Sequence, residues 1–251
     1  MCAKRTIDRL APITLVYGKE GVGKSTFIKE RLRLHCKPEQ VSYLNVDKLS
    51  SESTLGTYRV SPGMMDFFRT WMSKLKLAKE VDARLLLGYH YITDMVLLSY
   101  RHNRHITFWE AGSSTQQVMS ILAGFCEQAR LPDKVLCIDR PCMFLSHETS
   151  YMLADIMLEM VTQYNPKMKI ICEVSSDDLL RRFLRCIAEE KMSVDDLHVY
   201  CVNSSGGSKI PINEYGALTD NVGFNIFDEE HDEIIATIKA QVKRRKKEAS
   251  R

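Results

Sequence analysis

The 251-residue sequence is defined first by what it lacks. It has no apolar run approaching the ~18 uncharged residues that a membrane span needs. Its first twelve residues hold Lys4, Arg5, Asp8 and Arg9 and no apolar block, so no secretory signal is expected there. Position 2 is Cys2 rather than the glycine of an N-myristoylation site. The eight cysteines form no C-x-x-C pair, and several sit inside apolar runs. They read as reduced core residues of a cytosolic protein, not as disulfide partners or metal ligands. Internal repeats, low-complexity segments and linkers are missing, so residues 1–251 read as a single domain. With 45% hydrophobic and 27% charged residues, disordered and collagen-like chains are excluded.

An excess of one charge is also missing from most of the chain. The net charge is +3, yet residues 243–251 carry six basic groups against one acid, leaving −2 for the remainder. Such a body is not a nucleic-acid-binding surface, and only the tail is basic. The tail allows peripheral contact with an anionic membrane surface, or a nuclear address. Past Val242 it has no large apolar residue to insert, so a solvated terminus is the default.

What is present alternates. Strands are expected at Ile13–Tyr17, Val41–Val46, Ile106–Trp109, Lys134–Ile138, Lys169–Val174 and Leu197–Val202, with a seventh at Val222–Phe227. Helices are expected at Ser25–Leu34, Met64–Lys79, Ala83–Tyr100 (capped by Asp82), Thr115–Ala129, His147–Tyr164 and Glu229–Arg245, and Ser175-Ser176-Asp177-Asp178, a capping residue with acids in the first turn, opens another to about Lys191. This order predicts an α/β fold, a mainly parallel sheet flanked by helices in three layers.

Gly18-Lys19-Glu20-Gly21-Val22-Gly23-Lys24-Ser25 is a complete G-x-x-x-x-G-K-[ST] phosphate loop between an expected strand and helix. The glycines let backbone N–H groups turn around a phosphate, and the helix presents its positive end. Lys24 would neutralise the β- and γ-phosphates, and Ser25 would ligate Mg²⁺. Asp139, closing an apolar run, would hold that Mg²⁺ through a water. Asp47, at another strand end, would position the attacking water. Asn203 either reads adenine or starts the turn that follows it. The implied ligands are ATP and Mg²⁺.

With its second lysine, Lys19, and with Thr26 after Ser25, the loop resembles the deviant phosphate loop of the ParA, MinD and arsenite-pump ATPases. Val41–Asp47 resembles that superfamily's second strand and switch I aspartate. Lys134–Pro141 resembles its Walker B strand, Ile170–Leu180 the strand and helix after it, and Leu197–Asn203 the strand ending in an adenine-contacting asparagine. Glu20 departs from the pattern, standing where glycine is usual, and so does Asn45. The resemblance implies a P-loop NTPase: an ATP-hydrolysing molecular switch, a nucleotide-dependent homodimer that engages a partner protein or surface. Lys19 would then reach the partner's phosphates.

Glu110, at the end of Ile106–Trp109, is a competing acid. With Lys24, Asp47 and Glu110-Ala111-Gly112 the chain also resembles zeta-toxin-type kinases, in which Asp47 would deprotonate a metabolite hydroxyl. A third alternative, kept open by Glu20, is a scaffold that binds nucleotide without hydrolysing it.

Lys19 separates these readings. If it acts across an isologous two-fold interface, Lys19→Ala binds ATP as a monomer and loses ATP-induced dimerisation and most hydrolysis. Light scattering with a non-hydrolysable ATP analogue checks this. A wild-type protein that stays monomeric at saturating nucleotide overturns the switch.

Overall fold

The computed structural model describes residues 10–45, 62–85, 92–98, 105–129, 131 and 134–218. Asp47, the strand expected at 222–227, the helix expected at 229–245 and the basic tail lie outside them.

Strand β1 (Ile13–Tyr17) is buried along its whole length, as an Ile-Thr-Leu-Val-Tyr run covered on both faces must be. Helix α1 (Lys24–His35) and strand β2 (Val41–Asn45) follow. Next come α2 (Pro62–Lys74), β3 (Glu80–Leu85), β4 (Ile92–Leu98) and β5 (His105–Thr107). The chain continues through α3 (Ser113–Gln128), β6 (Val135–Asp139), α4 (His147–Glu159), β7 (Lys169–Glu173), α5 (Asp178–Ala188), β8 (Leu197–Asn203) and β9 (Gly206–Ile210).

Six strands form a sheet in the order β2-β6-β7-β1-β8-β9. The first five are mutually parallel, and β9 is antiparallel to β8. Alternation along the strands sorts their side chains into two faces. On one face Val16, Val135, Cys137, Ile171, Tyr200 and Val202 pack with Ile28 and Leu32 of α1. On the other, Leu44 and Leu136 face Gly124 of α3, and Cys172 Sγ lies 3.9 Å from Met157 Sδ of α4. Helix α5 is tied to α4 by an Arg182–Asp155 fork at 2.8 and 2.9 Å. Helices therefore cover both faces, the three-layer α/β architecture expected. Ile13 and Leu15 are fully buried, and burial of this kind contributes roughly 1.5–3 kcal/mol per side chain.

Two expectations are corrected. Ala83–Tyr100 is not a helix: β3 and β4 pair antiparallel, Glu80 with Leu98 through Arg84 with Asp94. Asp82 lies within β3 rather than capping a helix. The Leu and Met content of the segment favours a helix in isolation, but Ile92, Thr93 and Val96 are β-branched and cross-strand pairing decides. Likewise Ile106–Trp109 does not join the parallel sheet. Strand β5 pairs antiparallel with β4 in a separate three-stranded sheet, and a 3₁₀ turn, Phe108–Glu110, follows it.

Strand β9 was not expected, because Gly206 and Gly207 weaken a strand signal. Gly207 opposes Val202 on the α1 face, where a Cβ would lie 2.3 Å from the Phe27 ring. A strand glycine at such a close approach has a steric cause. Gly207→Ala is expected to displace Phe27 from its contact with Tyr200, with ring centroids 5.4 Å apart. The expected cost is about 1–3 kcal/mol, read as a lower urea midpoint. An unchanged midpoint would show that the ring moves freely.

Candidate active site

The loop between β1 and α1 is shaped by close packing at its start. A Cβ on Gly18 would meet the Val202 carbonyl oxygen at 2.4 Å and Val22 Cγ2 at 2.9 Å, so only glycine fits. Gly21 and Gly23 have φ of 78° and 93°, and Gly23 caps α1. Val22 turns inward against the core cluster. The backbone thus curls over the amino end of α1, where partial positive charge collects.

Lys24 is buried. Its Nζ donates to the carbonyls of Gly18 at 2.8 Å and Lys19 at 3.0 Å, and lies 3.7 Å from Glu173 Oε1. Ser25 Oγ donates to Glu173 Oε2 at 2.6 Å. Glu173 is the site residue that the sequence reading missed, having been taken as part of the strand Lys169–Val174. Its signal was parity. Cys137 and Ile171 point into the α1 face, so Asp139 and Glu173, each two residues on, point the same way. They are also register partners at the carboxyl ends of adjacent strands. The Asp139 pKa is raised from its ordinary value because burial and the Glu173 charge disfavour its ionised form, with Lys24 opposing them.

The position of this cluster follows from topology. After β1 the chain crosses to the α1 face, and after β7, the neighbour of β1, it crosses to the face of α4 and α5. That divergence opens a crevice beyond the strands' carboxyl ends, where α/β sheets bind ligands. A cavity of about 250 Å³ occupies it, lined by Glu20, Gly21, Lys24, Asp139, Arg140 and Glu173 among others. A second cavity of about 440 Å³ reaches Ser25, Asp139 and Glu173 from the side of Ile28, Tyr43 and Leu44.

The remaining candidates divide. Lys19, Glu20 and Thr26 are exposed, and Glu20 borders the smaller cavity. The Asn203 amide oxygen accepts from the Ser205 N–H at 2.9 Å and from Ser205 Oγ at 2.7 Å. It therefore starts the turn into β9. Glu110 lies in the 3₁₀ turn after β5. Its carboxylate accepts from the Thr107 N–H at 2.7 Å and Thr107 Oγ1 at 3.1 Å, closing the 3₁₀ turn after β5. Strand β5 belongs to the three-stranded sheet, so Glu110 does not close a strand of the parallel one. Arg181, Arg182 and Arg185 pair with Asp177, Asp155 and Glu189. Trp71 and Met72 are core residues. The seven described cysteines are free thiols, and burial pushes the Cys142 thiol up to about 12.

Ser25, Asp139 and Glu173 supply the hard oxygen donors that suit Mg²⁺. Among the described residues no group of three acids, histidines or cysteines could enclose a metal by itself. Water and phosphate oxygens would complete such a shell. No helix among the described residues is long and apolar enough to cross a membrane.

The sequence matches no protein-family model and no curated protein. The chain is similar to solved structures at low identity. The SMC head domain from Thermotoga maritima is 10% identical with a TM-score of 0.46, over 80% of this chain and 90% of that one. An ATP-binding cassette of an ABC transporter in its ADP conformation is 12% identical with a TM-score of 0.44, over 78% of each. The Pyrococcus furiosus Smc head domain with an extended coiled coil, bound to the C-terminal domain of ScpA, is 11% identical with a TM-score of 0.41. That match spans 70% of this chain but only 37% of the Smc chain.

The raised pKa of Asp139 has a consequence for stability. A carboxyl that titrates higher in the folded than in the unfolded state destabilises the fold once pH exceeds its unfolded value. Without nucleotide, Asp139→Asn is expected to unfold at higher denaturant than wild type at pH 7. The gain closes as pH falls below the ordinary carboxylate range. A less stable variant at pH 7 would mean that the attraction of Lys24 and Arg140 outweighs burial.

Proposed function

We propose that this chain binds ATP with Mg²⁺ in the β1–β7 crevice and hydrolyses it, and that the ATP-bound form serves as a molecular switch. The observation that carries this reading is the convergence of Lys24 and Ser25 on the Glu173 carboxylate, with Asp139 beside it. These are the lysine, hydroxyl and acids that phosphoryl transfer to water requires, held on one sheet face under a glycine-shaped loop.

When ATP enters, Lys24 and Ser25 would exchange the Glu173 carboxylate for phosphate oxygens and metal. Bound Mg²⁺ would neutralise charge developing on the phosphate oxygens. Glu173, released from Ser25, is then the carboxylate available to a water. The water oxygen forms a bond to the γ-phosphorus as the bond from that phosphorus to the β–γ bridging oxygen breaks. That electron pair leaves with ADP, and Glu173 takes the water proton. Asp139, next to it in the sheet, would hold the metal through a water.

The switch is the finer part of the proposal. Its support is that Lys19 turns its carbonyl toward Lys24 while the residue itself stays exposed. A side chain so placed suits contact with a second copy of the chain across a nucleotide. The kinase alternative is less favoured, since Glu110 accepts from the Thr107 N–H and hydroxyl in the turn after β5.

Glu173→Gln is expected to retain ATP binding while turnover falls roughly 10²- to 10⁴-fold. Phosphate release and equilibrium binding of fluorescent ATP check the two halves. Wild-type turnover in the variant would move the proton-accepting role to another acid. Failure of the wild-type protein to bind ATP would remove the whole reading.

A further inference from the structure

Three non-glycine residues among those described have positive φ: Lys76, Arg140 and Glu190. Lys76 and Glu190 sit just past the ends of α2 and α5, where a left-handed residue commonly terminates a helix. Arg140 does not. It follows a strand, with φ of 50°, in a conformation that costs an L-residue about 1–2 kcal/mol. Local strain of this kind persists only where the surroundings over-determine it, and it collects at functional sites.

The surroundings of Arg140 do fix it. Its N–H donates to the Glu173 carbonyl at 3.0 Å. Its carbonyl accepts from Gln117 Nε2 at 3.3 Å, and the same nitrogen donates to the Pro141 carbonyl. Gln117 Oε1 then accepts from the Phe144 N–H at 2.9 Å. Gln117 is 1% exposed, so a buried amide on α3 is devoted to the shape of the 140–144 segment. Arg140 thereby lines the 250 Å³ cavity, with its Nε 3.7 Å from Asp139 Oδ1.

Charge in that cavity is unbalanced for a triphosphate. Glu20, Asp139 and Glu173 contribute three carboxylates against Lys24 and Arg140. Lys24 brings a single positive charge even after it exchanges Glu173 for phosphate oxygens. A triphosphate carries more negative charge than that, so it needs the second cation, and a guanidinium offers a planar fork matched to phosphate oxygens.

We propose that Arg140 holds the terminal phosphate of ATP from within the same chain, so that it distinguishes ATP from ADP and stabilises the charge of the transferring group. This rests on the ATP reading of the crevice. Arg140 acts as a cis-supplied cation, and the strained backbone, locked by Gln117 and Glu173, aims it.

Arg140→Gly tests the side chain alone, because glycine adopts the left-handed backbone without strain. The measurements are calorimetric affinities for Mg²⁺-ADP and for a Mg²⁺-loaded non-hydrolysable ATP analogue, with phosphate release alongside. Expected are unchanged ADP affinity, roughly 10- to 100-fold weaker binding of the analogue, and turnover down on the order of 10³-fold. Arg140→Lys should recover part of the analogue's affinity, since charge returns without the fork. Equal changes for both nucleotides, or no change for either, overturn the role of Arg140 while nucleotide binding stands. Wild-type protein that binds neither nucleotide overturns the ATP reading itself.

Discussion

A buried ammonium organises this site. Lys24 is withdrawn from water, and an isolated charge in that position would cost several kcal/mol. Its ammonium donates to the carbonyls of Gly18 and Lys19 and forms an ion pair with the Glu173 carboxylate at 3.7 Å. The two carbonyls hold the loop in its curl, and the carboxylate ties that curl to β7. Loop shape, α1 start and sheet are thereby coupled through one side chain. An anion that displaces Glu173 must offer Lys24 an equivalent partner, which a phosphate does.

The sheet supplies the second constraint. Side chains alternate across a strand, so the face of Asp139 and Glu173 is set by Cys137 and Ile171, the residues buried under α1. Moving either acid by one position would send it to the α3–α4 face, among apolar side chains. Register then places the two acids side by side. Burial of Asp139, and then the neighbouring Glu173 charge, raise the Asp139 pKa, a local cost that the folded core must offset. The same site holds Arg140 in a left-handed conformation. Strain and charge are concentrated at the crevice, while the buried strands on either side are regular.

The loop Gly18–Ser25 was legible because its chemistry is local. Glycines, lysine and hydroxyl lie within eight consecutive residues, and the flanking strand and helix are equally local. The parallel strands were legible as short apolar runs between helices, and Asp139 as the acid that closes one. Glu173 was hidden because its run, Lys169–Val174, continues past it, and only pairing with β6 shows that the strand ends there. Ala83–Tyr100 misled because Leu and Met suit a helix as well as a strand, and the partner that decides lies in the same segment. Glu110 looked like a strand-end acid until β5 proved to belong to a different sheet.

The sequence by itself determined that a phosphate loop lies between a buried strand and a helix, and that strand and helix alternate in an α/β order. Those properties depend on residues near one another in the chain. The tertiary structure decided which acid meets Lys24 and Ser25 and that Arg140 borders the cavity. The first depends on strand order and register, and the second also on a distant buried amide, Gln117. Neither is encoded in any single stretch of the chain, because contact between remote residues exists only once the sheet has formed.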